Sequence, residues 1–191
     1  MTPENILSNP SAPSEFLSII SLPKQKLIAY ATGGAGINNT TQGLNLYIWR
    51  AQYLNGAIVL DVPSSPGVGV TEILYLSGVT ELAFSFDLAM KPVLAYTVAQ
   101  VSYLYFYDTI TANFITLNLG TGLSDLHMVM DELRPELLYR ADLTFTYIFQ
   151  SSLYIRTQRE RYAVPYLLSM NIRKIYRFGL SKSYRLQWLV V

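Results

Sequence analysis

The chain reads as an all-β protein of three propeller-blade-like four-stranded antiparallel units followed by a C-terminal β-hairpin. Three observations predict this. Strand-length runs alternate in polarity with a period of two: in ELAFSFDL, Leu82, Phe84 and Phe86 share one side and Ala83, Ser85 and Asp87 the other. These runs are rich in Tyr, Phe, Ile, Val and Thr and are separated by turn punctuation such as Asn55–Gly56. They also recur in a fixed order.

The repeat is seen in three aligned stretches, LNLYIWRAQYLNGAIVL at 44–60, VSYLYFYDTITANFITL at 101–117 and SSLYIRTQRERYAVPYLL at 151–168, each with a Leu-Tyr pair, a polar turn and a second apolar strand. Upstream of them lie KLIAYAT (26–32), KPVLAYTV (91–98) and DLTFTYIF (142–149), in which Tyr30, Tyr96 and Tyr147 correspond. One step further back come EFLSIISL (15–22), ELAFSFDLAM (81–90) and LHMVMDEL (126–133). The order a-b-c-d is thus expected in repeats 15–60, 72–117 and 126–168 of one domain, 15–191, preceded by an extended arm, 1–14. The terminal hairpin, 171–191, is expected to pair Ile172–Phe178 with Tyr184–Val190 around Gly179 and Ser181. Four-stranded meanders repeated in this way resemble propeller blades, but about four to eight blades are needed to close a ring. Open outer strands demand cover.

Two long polar segments interrupt the scheme. TGGAGINNTTQG (32–43) is a loop inside the first unit, and DVPSSPGVGVTE (61–72) is expected to separate the first unit from the second. The arm is a segment that adds to another chain by extended pairing or frays.

A chain of 191 residues buries enough surface to fold without a metal or disulfide. Cysteine is absent, which removes disulfides, thiolate metal sites and cysteine nucleophiles. The opening MTPENILSNPSAPSEF lacks the basic head and apolar run of a secretory signal, and no window reaches the roughly eighteen apolar residues of a spanning helix. No membrane partner is therefore expected. With 51% hydrophobic and only 14% charged residues, and fifteen tyrosines, the composition suits permanent contact with other subunits.

The formal charge of +1 hides a division along the chain. Residues 1–150 carry six Lys/Arg against twelve Asp/Glu, a formal −6, while 151–191 carry eight against one, +7. A basic end of this kind binds nucleic acid or the acidic body of a neighbour. Its cations and one aromatic form the candidate interface: Arg156, Arg159, Arg161, Arg173, Lys174, Arg177, Lys182, Arg185 and Trp188. Along an extended strand Arg156 faces opposite to Arg159 and Arg161, and guanidinium groups bind phosphate or carboxylate. The alternative is pairing within the chain, with Glu160, Asp131, Glu132 or Asp142.

No catalytic constellation emerges, and no enzyme is expected. His127 is the single histidine, expected at a loop or strand edge, so triads and His-rich metal sites are ruled out. Asp87 with Asp108, or Asp125 with Asp131, supplies carboxylate pairs of the kind used in glycoside hydrolysis, but Asp108 falls at a strand turn, where carboxylates bond the local backbone. The glycines of 32–43 lack the Gly-Lys-Ser/Thr of a phosphate loop, and Asn38 and Asn39 have no acidic companion to hold calcium. Neither metal nor cofactor is expected.

Over roughly residues 44–191 the chain resembles small structural proteins encoded among the tail genes of short-tailed bacteriophages. The pattern is an "LAFD" strand, an "RPV(V/L)AY" strand, an "LYWYD" strand, an "ADV…Y…LY.RQQRDRY" run and a terminal "RLQF". Its counterparts here are Ala83–Asp87, Lys91–Tyr96, Leu104–Asp108, Ala141–Tyr147 with Leu153–Tyr162, and Arg185–Trp188. Lys91 replaces Arg, and Thr157-Gln158-Arg159-Glu160-Arg161 replaces Gln-Gln-Arg-Asp-Arg, both keeping charge and length. The resemblance implies a virion structural protein in the tail (nozzle, knob, adaptor or fibre base), assembled in the host cytoplasm as a homo-oligomer. Other tail or head–tail connector proteins would be its partners, with packaged DNA a minor contact. The rival expectation is a receptor- or glycan-binding module at the tail tip, using loop 32–43 and exposed tyrosines.

Overall fold

The computed structural model describes residues 27–33, 47–62, 71–131, 141–180 and 186–190, and side chains within 32–47 and 176–189 are not described. Fourteen strands occur among these residues. The first sheet is β1 (Ile28–Gly33), β2 (Tyr47–Leu54), β3 (Ala57–Asp61) and β4 (Thr71–Tyr75). The second is β5 (Val79–Phe86), β6 (Pro92–Val98), β7 (Val101–Asp108) and β8 (Asn113–Thr121). The third is β9 (Leu123–Met130), β10 (Leu143–Phe149), β11 (Ser152–Thr157) and β12 (Tyr166–Met170). β13 (Ile175–Leu180) and β14 (Leu186–Val190) form the hairpin. Each four-stranded sheet is an antiparallel meander in chain order, and none of the described sheets closes on itself.

The three sheets are copies in detail. The hairpin joining the second and third strands has a two-residue turn with both residues at positive φ in every copy: Asn55–Gly56, Ala99–Gln100 and Gln150–Ser151. Such primed turns match the right-handed strand twist. In every copy the outer strand then carries one unpaired residue at the same step of the ladder, Ile73, Leu119 or Leu168. A bulge there increases the local twist of an edge strand.

This correspondence corrects the expected alignment. The first sheet spans 28–75, so it begins one strand later than the 15–60 expected from the sequence, and 61–72 joins β3 to β4 within it instead of separating two units. Tyr96 and Tyr147 remain equivalent, each three positions before the first turn residue, but their counterpart is Gln52, with Tyr30 one strand earlier. Likewise Tyr103 matches Tyr154, because each pairs across the hairpin with the preceding tyrosine, so the Leu-Tyr pairs of these two strands are offset by two residues. Both pairs stack, Tyr96 on Tyr103 at 5.5 Å and Tyr147 on Tyr154 at 5.7 Å between ring centroids.

The sheets pack in a row. β1 and β2 lie against β5, and β5 and β6 against β9. The core between sheets one and two holds Trp49, Ile58, Leu60, Leu82, Phe84, Phe86 and Leu94, with Trp49 edge-on to Phe86 at 5.7 Å. Between sheets two and three lie Ala83, Val93, Ala95, Leu104, Phe106, Phe145, Tyr147 and Tyr162. Sheet two is therefore covered on both faces, which is why β6 is buried without alternation from Val93 to Thr97. Beyond sheet three, Ile148 and Leu153 pack with Ile172 and Ile175 of the tail segment.

The expected hairpin is present, but its first strand starts three residues later and runs through Gly179, which pairs with Gln187, so Gly179 is a ladder residue and not the centre of the turn; Phe178 pairs with Trp188. The arm 1–14, the strand 15–22 and the loop 32–43, apart from Thr32 and Gly33 at the end of β1, lie outside the described residues. Among the described residues no helix is long and apolar enough to cross a membrane.

Candidate functional site

The arginine-bearing run after β11 does not continue as a strand. Thr157 ends β11, Gln158–Glu160 makes a single 3-10 turn, and Arg161 and Tyr162 sit at positive φ. The chain thus hooks back on itself, with Arg161 N–H donating to the Gln158 carbonyl (2.7 Å) and Tyr162 N–H to the Thr157 carbonyl (2.8 Å). The alternation expected to set Arg156 against Arg159 and Arg161 therefore does not extend past Thr157.

The hook places each of its side chains against a different group. Arg156 donates from Nε to the Tyr147 hydroxyl (3.1 Å) and from Nη1 to the carbonyls of Tyr162 (2.7 Å) and Ala163 (3.1 Å), with its guanidinium over the Tyr147 ring. Gln158 Nε2 reaches Asp87 Oδ2 at 3.1 Å, and Arg161 Nη2 reaches Asp108 Oδ2 at 2.8 Å. Both carboxylates belong to sheet two, so these two bonds tie sheet three to it. Between them Tyr162 is fully buried, its ring edge-on to Phe106 at 5.0 Å. Arg159 is 71% exposed, with Nε 3.8 Å from Asp142 and its backbone N–H on Asp142 Oδ1 (3.0 Å).

The internal reading of the arginines therefore describes Arg156 and Arg161, whose partners are carbonyls, a tyrosine and Asp108, and only Arg159 meets one of the carboxylates named in advance. Arg173 and Lys174 are exposed. Arg177 and Trp188 lie on the hairpin strands, where side chains are not described, and Lys182 and Arg185 fall outside the described residues.

The carboxylates hold the fold. Asp87 Oδ1 accepts N–H bonds from Ala89 (2.9 Å) and Lys91 (2.8 Å), while Asp87 N–H donates to the Lys91 carbonyl. Asp131 repeats this in sheet three: its Oδ1 accepts from Asp142 N–H (2.8 Å) and its own N–H donates to the Asp142 carbonyl. In sheets two and three the acidic residue after the first strand is a loop clasp, a repeat signal that sequence alignment could have found. Asp108 accepts from Ile110 N–H, Thr111 N–H and Thr111 Oγ1 in the turn after β7, as its position predicted. Desolvation alone would raise the Asp108 carboxyl, but the bonds from Thr111, Ile110 and Arg161 outweigh it and hold it below the ordinary carboxylate value. Asp125 Oδ2 accepts from Ile175 N–H (2.9 Å), docking the tail on sheet three.

His127 is on the inner edge strand β9, buried and opposite Thr146, rather than in a loop. Burial pushes the Tyr162 phenol well above its usual value, with the charges of Asp142 and Asp87 adding to the shift, so it remains neutral. Among the described residues no three His, Asp or Glu side chains converge as a metal site.

What these features define is a class: an all-β protein of three like-built antiparallel meanders packed face to face, clamped by a polar hook. No protein-family model, curated protein or solved structure matches the chain.

Proposed function

We propose that the chain is a structural subunit of a bacteriophage tail, its three meanders acting as propeller-like blades that hold tail parts together through homo-oligomeric and neighbour contacts. One observation supports this reading above the others. The segments that resemble short-tailed phage tail proteins, Ala83–Asp87, Lys91–Tyr96, Leu104–Asp108, Ala141–Tyr147 and Leu153–Tyr162, meet one another in the core and hook between sheets two and three. A pattern spread over some eighty residues that converges on one packed interface is a scaffold signature, because it specifies how sheets stack and not how a ligand is held.

The polar groups agree. Asp87, Asp108, Arg156 and Arg161 bond to loops and to the neighbouring sheet, which suits a mechanical role. Among the described residues Arg159, Arg173 and Lys174 offer exposed cations to an acidic neighbour, and packaged DNA is at most a secondary contact.

The test is made in particles of the phage that encodes the chain. Mass spectrometry of disrupted virions is expected to find it in several copies, and loss of its gene is expected to leave heads without assembled tails. Its absence from purified virions overturns the reading. Normal tails that fail to adsorb after deletion of residues 34–41 would instead assign it to receptor recognition.

A further inference from the structure

The outer strands β4, β8 and β12 occupy the same position in three copies of one sheet, yet their surfaces differ. After exposed Phe114, β8 alternates between partly covered Ile115, Leu117 and Leu119 and exposed Thr116 and Asn118, and β4 exposes Thr71, Glu72 and Tyr75. β12 exposes apolar side chains at Tyr166, Leu167 (50%), Leu168 and, beyond Ser169, Met170 (65%), with Val164 just before it. The bulge at Leu168 interrupts the ladder edge, so backbone strand addition is disfavoured and side-chain burial is the way to cover this patch. Arg159, Arg173 and Lys174, which flank β12 in the chain, are exposed and outnumber Glu160, which accepts the Tyr166 hydroxyl at the edge of the patch.

The opposite end of the row carries the complement. Among the described residues the main contacts of sheet one are with sheet two, and at one of its ends it exposes Leu27, Leu54 and Tyr75, the last at 75%. These belong together because Leu27 accepts from Tyr53 N–H and Tyr75 pairs with Ala57, which closes the turn from Leu54. Glu72, exposed and accepting the Tyr75 hydroxyl, adds negative charge.

We propose that β12 of one molecule packs on the Leu27–Leu54–Tyr75 end of sheet one of a second copy, a head-to-tail contact of an apolar patch flanked by exposed cations on an apolar patch carrying Glu72. Two patches at opposite ends of a three-sheet row make a heterologous interface, which generates a closed ring where the rotation allows it. The inference rests on the homo-oligomeric reading above and adds the surface and the symmetry.

Because the chain has no cysteine, single introduced thiols are clean probes. Leu168→Cys and Tyr75→Cys proteins, mixed and treated with a short bis-maleimide, are expected to join to each other, and neither is expected to join to itself. Sedimentation of the wild-type chain is expected to show an assembly that Leu167→Glu with Met170→Glu reduces to monomer, circular dichroism reporting an unchanged strand signal. Glu72→Lys is expected to weaken assembly, and Arg173→Glu with Lys174→Glu to restore it in the same chain. Cross-linking of the Leu168→Cys protein to itself, or an assembly that survives the double glutamate variant, overturns this interface while leaving a homo-oligomeric subunit standing. A wild-type chain that stays monomeric at every concentration overturns both.

Discussion

Tyr162 shows how one side chain can join two layers. Among the described residues it is the largest that is fully buried, its hydroxyl has no hydrogen-bond partner there, and its ring packs edge-on to Phe106 beneath the hook. Leaving a buried hydroxyl unsatisfied costs about 1–3 kcal/mol. Tyr162→Phe is therefore expected to stabilise the chain by about 1 kcal/mol, whereas Tyr162→Ala leaves a cavity and is expected to cost about 3–5 kcal/mol, both read from urea unfolding. Asp108 contributes to the acid response. Its folded-state value is lowered, so its contribution is complete above the ordinary carboxylate value of about 3.9 and is lost as pH falls through the lower folded value. Wild-type stability is expected to drop more steeply below about pH 4 than that of Asp108→Asn, and Asp108→Asn is expected to be the weaker protein at pH 7. Equal slopes would sink the assignment. The turn bonds of Asp108 were legible from its position, but the burial of Tyr162 and the tie from Arg161 were not, since Arg161 and Asp108 are 53 positions apart.

At the scale of the element, the hairpins were the most legible part. Asn55–Gly56 announces a primed turn because both residues tolerate positive φ, and the structure places them there. Ala99–Gln100 adopts the same geometry with φ of 48° and 65° but without residues suited to it. Left-handed backbone costs a non-glycine residue roughly 1–2 kcal/mol. Transplanting Asn-Gly into positions 99 and 100 is expected to raise the unfolding free energy by about 1 kcal/mol without moving the Tyr96–Tyr103 pair. A fall in stability would show that Ala99 or Gln100 makes a contact that matters more than the turn. The same logic explains the misplaced first unit. Leu-Tyr pairs and Tyr-rich strands occur at more than one strand position, so side-chain likeness alone aligned β2 with the wrong partners, while the turn and the bulge identify it without ambiguity.

For the whole molecule, the row of sheets leaves two unlike ends. Ile172 and Ile175 seal the far side of sheet three against Ile148 and Leu153, and burying one such side chain contributes about 1.5–3 kcal/mol. A chain ending at Met170 is expected to lose several kcal/mol, melt at lower temperature and bind a hydrophobic dye. Unchanged melting would show that the tail is an appendage. Sheet one has no such cover among the described element contacts, which is why its exposed Leu54 and Tyr75 carry the argument for a second copy.

Polarity alternating every second residue, aromatic strands and punctual turns were enough to specify antiparallel meanders and the final hairpin, because those features act between chain neighbours. The strand at which each sheet begins, the bend after Thr157, the burial of Tyr162 and the partners of Arg156, Arg161, Asp87 and Asp108 came from packing. They depend on which sheet faces which, and that choice is made by burial summed over whole faces, a quantity no local stretch of residues contains.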